Sequence, residues 1–498
     1  MNTKPDLSEF IALSSQGNLI PVYQEFLADM DTPVSAYLKI RDAEASYSYL
    51  LESADGGRRW GRYSFIGYKP FIVAVSRDQG MEVWKNGTRE FLQGVKNPME
   101  VLRDLAAEFK PVTLEGLPPF QGGLVGYVNY DLVRKWERLP GLRPESSDAP
   151  EAVFTASRRL IVFDHLTHMI KVVVFADLGE GANPKKAYEE ALRELEETVI
   201  DLRRPLPDAS IGSNLSVSEL TSNLQRERFH EMVNKAKDFI VAGDVIQVVL
   251  SQKFSGSISG DDFGLYRNLR SLNPSPYMFY LHFDGLRLIG ASPEILIRLT
   301  DGKIELRPIA GTRPRGKTAD DDRAMEEELM SDPKERAEHI MLVDLGRNDV
   351  GKVAEPGSVS VPRLMEVERY SHVMHIVSRV EGTLRRGMDC FDLFMSAFPA
   401  GTVSGAPKIR AMEIISELEP SPRGPYAGAV GYFGFNGNMD FCITIRTMSV
   451  SGGEISIQVG AGIVADSSPE GEYDETMKKG AAMFKSIERG RSHDSHDR

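Results

Sequence analysis

Hairpins written into the chain constrain its fold more than any other feature. VWKNGTREF sets Asn86-Gly87 between strand-like flanks, a two-residue turn of the kind that joins antiparallel strands. MFYLHFDGLRLIGASPEILIRL reads as another hairpin, turning at Asp284-Gly285, and RRLIVFDHLTHMIKVVVFADL as two strands joined near Leu166-Thr167. Helical segments fall between these in irregular order. AYEEALRELEETVIDLRR is amphipathic and charged, and SNLQRERFHEMVNKAKDFIVAGD places Phe229, Met232, Val233, Ala236, Phe239 and Ile240 at helical spacing. Ser222 or Asn223 is expected to cap that second helix, and Gly243-Asp244 to stop it. VIQVVLSQKFSG is expected to be a strand, with further strands near 427–435, 440–450 and 454–464. Further helices are expected near 323–345, 365–380, 389–397, 406–419 and 473–488. No βαβ unit repeats, so the class is α+β with antiparallel sheet.

The turn-rich stretch PLPDASIGSNLSVSE, with Pro205 and Pro207, divides the chain. The expected units are 1–203, a linker over 204–222, a second unit over 223–489 and a disordered tail over 490–498. A net charge of −13 argues against nucleic acid and anionic membranes as partners, while leaving room for a small anionic substrate held by local basic groups. Cys390 and Cys442 are the only cysteines, which fits a reducing compartment and excludes a thiolate metal cluster. The start, MNTKPDLSEF, lacks a secretory pattern, and no apolar run reaches membrane-spanning length. These features read as cytoplasmic.

Two Glu-x-x-Glu pairs carry the sharpest chemical signal: Glu335/Glu338 in DPKERAEHIML and Glu472/Glu475 in SPEGEYDETMKKG. A spacing of three puts both carboxylates of a pair on one helical face. Two such faces brought together make an all-oxygen pocket suited to Mg²⁺. The competing reading is two solvated helix faces, the default for glutamate. Between the pairs lie loops rich in small residues. RPIAGTRPRG carries Gly311-Thr312 followed by Arg313 and Arg315. FPAGTVSGAPKIRAMEII runs into a helix, where Thr402, Ser404 and the amides of Gly401 and Gly405 suit an anion. IQVGAGIVADSS offers Gly460-Ala461-Gly462, where backbone can approach a ligand closely. Each is equally readable as a tight turn, and GAPK lacks the spacing and trailing hydroxyl of a phosphate-binding loop.

SHVMHIVSRVEG sets His372 and His375 three apart, with His375 expected on a helical face beside Ser371, Ser378 and Arg379. His375 is a candidate acid or base, or else a buried or capping histidine. His339, beside Glu338, reads as structural. Arg446 in FCITIRTM is expected to end or interrupt an apolar strand, where its charge needs either an internal ion pair or a substrate carboxylate. Lys479, four residues after Glu475, pairs with that glutamate or reaches the same ligand.

The blocks LRPIAGTRPRG, ELMSDPKERAEHIMLVDLGRND, RYSHVMHIVSRVEG, PAGTVSGAPKIRAMEII, YAGAVGYFGF, FCITIRT and QVGAGIVADSSPEGEYDET together resemble the chorismate-utilising enzyme family over about 225–488. LLESADGGRRWGRYSFIG and QGGLVGYVNYD extend the resemblance, and look like the component I branch of anthranilate synthases. The fold this implies is a large two-lobed antiparallel β-sandwich with helices packed outside. Relatives that make aminodeoxychorismate carry a nucleophilic lysine where this chain has Ala310, and isochorismate and salicylate synthases carry a water-activating lysine where it has Gln247. Both departures leave ammonia as the nucleophile, although an aminodeoxychorismate synthase large subunit is the nearest alternative. A phenazine-type enzyme and a non-catalytic tryptophan-binding regulator are further ones.

The resemblance also implies roles. Glu338 and Glu475 would bind Mg²⁺, supported by Glu335 and Glu472. Tyr426, Arg446, Gly460, Ala461, Gly462 and Lys479 would hold substrate, and Gly311, Thr312 and Thr402 would line the same pocket. Glu294 would be the general acid for the departing ring hydroxyl, and His375 would handle the proton that accompanies pyruvate loss. The implied partner is a separate glutamine amidotransferase subunit supplying ammonia, in a heterotetramer of two large and two small subunits. Ser53 and Pro276-Tyr277-Met278 would bind tryptophan as a feedback inhibitor, with Tyr277 and Met278 against the indole.

Overall fold

The structure is a computed structural model that describes residues 3–41, 47–53, 61–139, 150–179, 181–206, 214–369 and 373–493. The strand Tyr277–Phe283 shows how the layers arise. Its alternate residues point to opposite faces. Phe279, Leu281 and Phe283 enter one large apolar core, which also holds Phe154, Phe394, Phe433 and Phe441. Met278 and Tyr280 enter a second, built around Tyr37, Phe263 and Tyr266. A strand apolar on both faces must lie between two cores, and the curled antiparallel sheet supplies them. A third, smaller core holds the helices Arg226–Val241 and Lys408–Leu418 against the strand Gln247–Ser259.

The strands form one continuous hydrogen-bonded array. The two halves of the chain interleave in it: Tyr47–Glu52 pairs with Tyr277–Phe283, and Gly123–Val128 with Ala429–Gly434. The stretch taken as a linker therefore does not separate two sheets. Its described part contributes Ser216–Val217 and Thr221–Ser222 as short edge partners of Gln247–Ser259, while 207–213 lies outside the described residues. At the far end the helix Pro469–His493 runs into the stretch expected as a tail, whose last residues, 494–498, also lie outside the described ones.

All three expected hairpins form. Gly80–Lys85 turns into Thr88–Gln93 with Asn86 and Gly87 at φ of 48° and 87°, the positive angles such a turn demands. Tyr277–Phe283 pairs with Leu286–Ser292, and Ala152–Asp164 with Met169–Asp177. Three local readings change. The helix Arg226–Val241 begins after Gln225, which gives no side-chain cap; the Ser222 hydroxyl accepts instead from the Leu224 amide, and Asn223 bonds the Lys253 amide. The helix expected near 323–345 is two helices, Ala319–Ser331 and Pro333–Gly351, because Pro333 cannot continue the first and is well placed to start the second. Asp332 ends one and caps the other through the amides of Lys334 and Glu335.

The third change bears on the site. The helix expected near 365–380 is instead the strand pair Ser360–Arg369 and Val373–Thr383. Met374, Ile376, Ser378, Val380 and Gly382 are buried on one face, a period of two rather than 3.6. The β-branched residues Val373, Ile376, Val377 and Val380 favour that choice. Ser378 consequently points away from His375 and bonds His339 Nε2 at 2.6 Å, which makes His339 the structural histidine expected. Ser371 and His372 lie outside the described residues.

Candidate active site

The two glutamate pairs start two helices whose first turns lie within electrostatic reach of each other. Pro333–Gly351 carries Glu335 and Glu338, and Pro469–His493 carries Glu472, Glu475 and Lys479 on one face. Burial pushes the Glu338 carboxyl above its usual value, Glu335 and Glu472 add repulsion, and Lys479 opposes the rise. A carboxylate desolvated among other carboxylates favours a cation beside it. The four carboxylates do not converge on one point: among the described residues no three such side chains stand close enough to hold an ion. Glu335 is tied to Arg313 Nη1 at 3.0 Å, Glu472 accepts from the Ser467 hydroxyl at 2.6 Å, and Glu475 lies 3.8 Å from Lys479 Nζ. Arg313, which also reaches Glu328 and Asp332, staples the glycine loop to the start of the Glu335 helix.

Glu294 follows the strand Leu286–Ser292, its carbonyl accepting from the Ile443 amide. Burial raises its carboxyl to about 7, against the opposing effects of the Thr402 hydroxyl, Lys479 and Arg446. A carboxyl in that range is half protonated at neutral pH and suited to donate a proton. Arg446 occupies the expected break between Met439–Ile443 and Thr447–Ser451, with a φ of 50°. Its guanidinium has no ion pair among the described residues, burial lowers its pKa, and Glu294 and Glu475 counter from longer range. A desolvated arginine without a fixed partner is suited to a ligand carboxylate.

Lys479 donates to the Gly460 carbonyl at 3.2 Å. The strand Glu454–Ile463 is paired with Gln247–Ser259 throughout, while its other neighbour stops at Ile457, so the backbone at 460–462 has an open edge. A methyl group on Gly460 would fall 2.4 Å from the Tyr426 hydroxyl, and one on Gly462 2.5 Å from Gln247 Nε2. Both glycines therefore admit a side chain that would otherwise be excluded. Ala461 is fully buried on the opposite face, leaving only its backbone to the site.

His375 sits opposite Thr312 in the sheet. Its Nδ1–H donates to the Gly311 carbonyl at 3.1 Å, with the Thr312 hydroxyl at 3.0 Å. That bond leaves the lone pair of the neutral ring on Nε2. Burial lowers the pKa of the ring, and the Gly311 bond opposes this. Gly311 has a φ of 73°, and a methyl group there would press on Glu335. In the loop before Lys408, Gly401–Ser404 is one short helical turn. Ser404 bonds back to Ala400 and Gly405 joins the sheet beside Val248, so of the two hydroxyls expected to face an anion there, Thr402 stands beside Glu294 and Ser404 does not.

The expected tryptophan residues form a separate seam where the two halves of the sheet join. Met278 pairs with Glu52 across the strands, which brings Ser53 alongside. The Ser53 hydroxyl is buried and without a hydrogen-bond partner among the described residues. Pro276 is half-buried, and Tyr277 donates to Asp440 at 2.9 Å and accepts from Arg298 at 3.0 Å. Adjacent strand residues face opposite ways, so Met278, 1% exposed in the second core, leaves only backbone to a ligand that meets the Tyr277 ring. The sequence reading named Arg313 without giving it a role and missed Asp349 and Lys408. The signal for Lys408 was a lysine inside a run of small residues, and it emerged only once the fold set Asp349 2.7 Å from it.

The chorismate binding enzyme family pattern matches residues 46–485. The chain is 47% identical to an anthranilate synthase component 1 from Acetivibrio thermocellus, covering 97% of this chain and 98% of that one. It is 48% identical to another from Synechocystis, covering 97% and 99%. The solved structure of anthranilate synthase component I from Streptococcus pneumoniae superposes with a TM-score of 0.76 at 35% identity, covering 92% of this chain and 98% of that one. The menaquinone-specific isochorismate synthase of Escherichia coli shares the fold at 19% identity, with a TM-score of 0.70 over 97% and 98%.

Proposed function

The chain belongs to the chorismate binding enzyme family, and on that premise we propose that it acts as the large subunit of an anthranilate synthase. The reaction takes chorismate and ammonia through aminodeoxyisochorismate to anthranilate and pyruvate, a lyase step that commits chorismate to tryptophan. One observation carries the assignment of roles: a carboxyl raised to about 7, Glu294, stands among Thr402, Lys479 and Arg446. Hydroxide is a poor leaving group, so the ring hydroxyl must be protonated as its C–O bond breaks, and Glu294 is poised to do that. Arg446, Tyr426 and the open backbone edge at 460–462 fix the substrate carboxylates, and Lys479 stands over the same edge. His375, neutral with Nε2 basic, takes the ring proton as the enolpyruvyl group leaves and the ring becomes aromatic.

The crowded carboxylates around Glu338 fit a divalent cation, since one would relieve the repulsion there. Glu338 and Glu475 would hold Mg²⁺, with Glu335 and Glu472 behind them. When bound, the ion supplies positive charge against the ring carboxylate of chorismate.

Ammonia comes from a separate glutamine amidotransferase, in our reading within a heterotetramer of two subunits of each kind. Both cysteines of this chain are buried with raised thiol pKa values, and so are unsuited to attack glutamine. Tryptophan binds at Ser53 and Pro276–Met278 and favours a state with weaker chorismate binding. No helix among the described residues is long and apolar enough to cross a membrane; we place the enzyme in the cytoplasm.

The test is turnover of chorismate with Mg²⁺ and ammonium alone, the products identified by mass and the assay repeated with tryptophan. Anthranilate with one equivalent of pyruvate is expected. An amino product that retains the enolpyruvyl group would point instead to aminodeoxychorismate synthesis. The buried Ala310, which places no amine at the nucleophile position, speaks against that outcome.

A further inference from the structure

Two cavities share a wall, and the smaller of them is bordered by Glu294. The inner one, about 30 Å³, is bounded by Glu294, Thr402, Leu345 and Asp349. The outer one, about 270 Å³, is bounded by Leu345, Asp349, Lys352 and Lys408. Leu345 and Asp349 form the wall common to both, whereas Arg446, Tyr426, Lys479 and the paired glutamates border neither. The inner space has room for about one or two waters. Its lining includes the polar residues Glu294, Asp349 and Thr402, and the Thr402 hydroxyl is buried without a well-formed hydrogen bond.

Lys408 stands at the partition. Its ammonium is 2.7 Å from Asp349 Oδ2 and donates to the Ala397 carbonyl at 3.0 Å. The other Asp349 oxygen takes Lys352, a half-exposed lysine, at 3.3 Å. The charges facing Lys408 are Asp349, Lys352 and Glu137; burial lowers its pKa, with Asp349 opposing. Those facing Glu294 are Arg446 and Lys479. Arg307, which also borders the inner cavity, is held by Glu368. A buried ion pair is a poor source of stability. This one lies against both cavities, since Asp349 borders each of them and Lys408 borders the outer one.

We propose that Asp349 and Lys408 form a relay that returns a proton from solvent to Glu294 after each turnover. The proposal rests on Glu294 being the general acid. In the amination step Glu294 gives its proton to the ring hydroxyl, the C–O bond breaks with its electron pair going to oxygen, and water leaves. Ammonia forms the new C–N bond and sheds one proton to solvent. The Lys408 ammonium passes a proton to Asp349, which borders both cavities; from there it crosses the inner cavity to the Glu294 carboxylate, and Lys408 regains one from the outer cavity. No proton is gained or lost overall.

Lys408→Arg separates relay from scaffold. Arginine keeps the charge and the ion pair but cannot release a proton near neutral pH. With saturating chorismate, Mg²⁺ and ammonium, Lys408→Arg and Lys408→Met should both lose about 10²-fold in kcat. The KM values should stay unchanged, and the solvent deuterium isotope effect on kcat should grow. Imidazole should restore kcat to Lys408→Met in proportion to its concentration. A Lys408→Arg enzyme with wild-type kcat and isotope effect would overturn the relay, as would a loss confined to the chorismate KM. Should Lys408→Met not fold, the arginine variant decides alone. Full activity in Glu294→Gln would instead remove the general-acid reading on which the relay rests.

Discussion

The seam at Glu52 and Tyr277 and the pocket at Glu294 both bury charge, and they treat it in opposite ways. In the seam, Glu52 accepts from Arg270 at 3.0 and 3.1 Å and from the Tyr266 hydroxyl. Asp440 accepts from Arg298 and from Tyr277. Each buried charge there has a fixed partner. In the pocket, Arg446 has none among the described residues, Glu338 is crowded by like charge, and Glu294 is driven toward neutrality. A protein that pairs its charges in one place and leaves them under strain in another keeps the second place for a ligand. The contrast also separates stability from activity, since breaking a satisfied pair destabilises the fold, whereas removing an unsatisfied group removes function.

The largest effect expected is in the pocket. Glu294→Gln should lower kcat about 10²- to 10⁴-fold with little change in chorismate KM, measured as anthranilate fluorescence at saturating ammonium. If the two regions differ as described, this variant should not lose stability. The folded carboxyl ionises near 7 and the free residue near 4.5, so the protonated form favours folding. That contribution is fully present below 4.5 and is lost as the pH rises through 7. Glu294→Gln should therefore melt at a higher temperature than the wild type at pH 8 and gain less at pH 4.5. In the wild type, kcat at saturating free ammonia should fall as the pH rises through about 7. Arg298→Met should do the converse: leaving Asp440 unpaired costs about 3–5 kcal/mol, read by denaturant unfolding, before any loss of catalysis. Arg446→Gln should lower kcat/KM about 10²-fold through weaker chorismate binding, with unchanged unfolding. A destabilised Arg446→Gln would erase the distinction. The smallest effect is Ser53→Ala, expected to leave turnover intact and to weaken tryptophan inhibition in a dose–response assay.

What the sequence disclosed followed from short-range chemistry. Asn86-Gly87 and Asp284-Gly285 dictate their turns by the φ they require, and Arg446 announces a break in an apolar strand because a charge cannot lie flat in one. The glutamate pairs were legible because spacing on a helix fixes their face. The segment around His375 was not, since two histidines three apart mimic helical spacing while the β-branched residues beside them belong to a strand. The Arg313 staple and the Asp349–Lys408 pair were illegible for a different reason. Their partners lie 22 and 59 residues apart, and only the packed helices bring them together.

The most direct measurement is a titration of the Glu294 carboxyl itself by ¹³C NMR, assigned by difference against Glu294→Gln. A midpoint near 7 is predicted, from a side chain held largely out of water beside cations that do not fully compensate. A midpoint near the ordinary 4.5 would contradict the account, because the pocket would then hold a satisfied carboxylate like those in the seam.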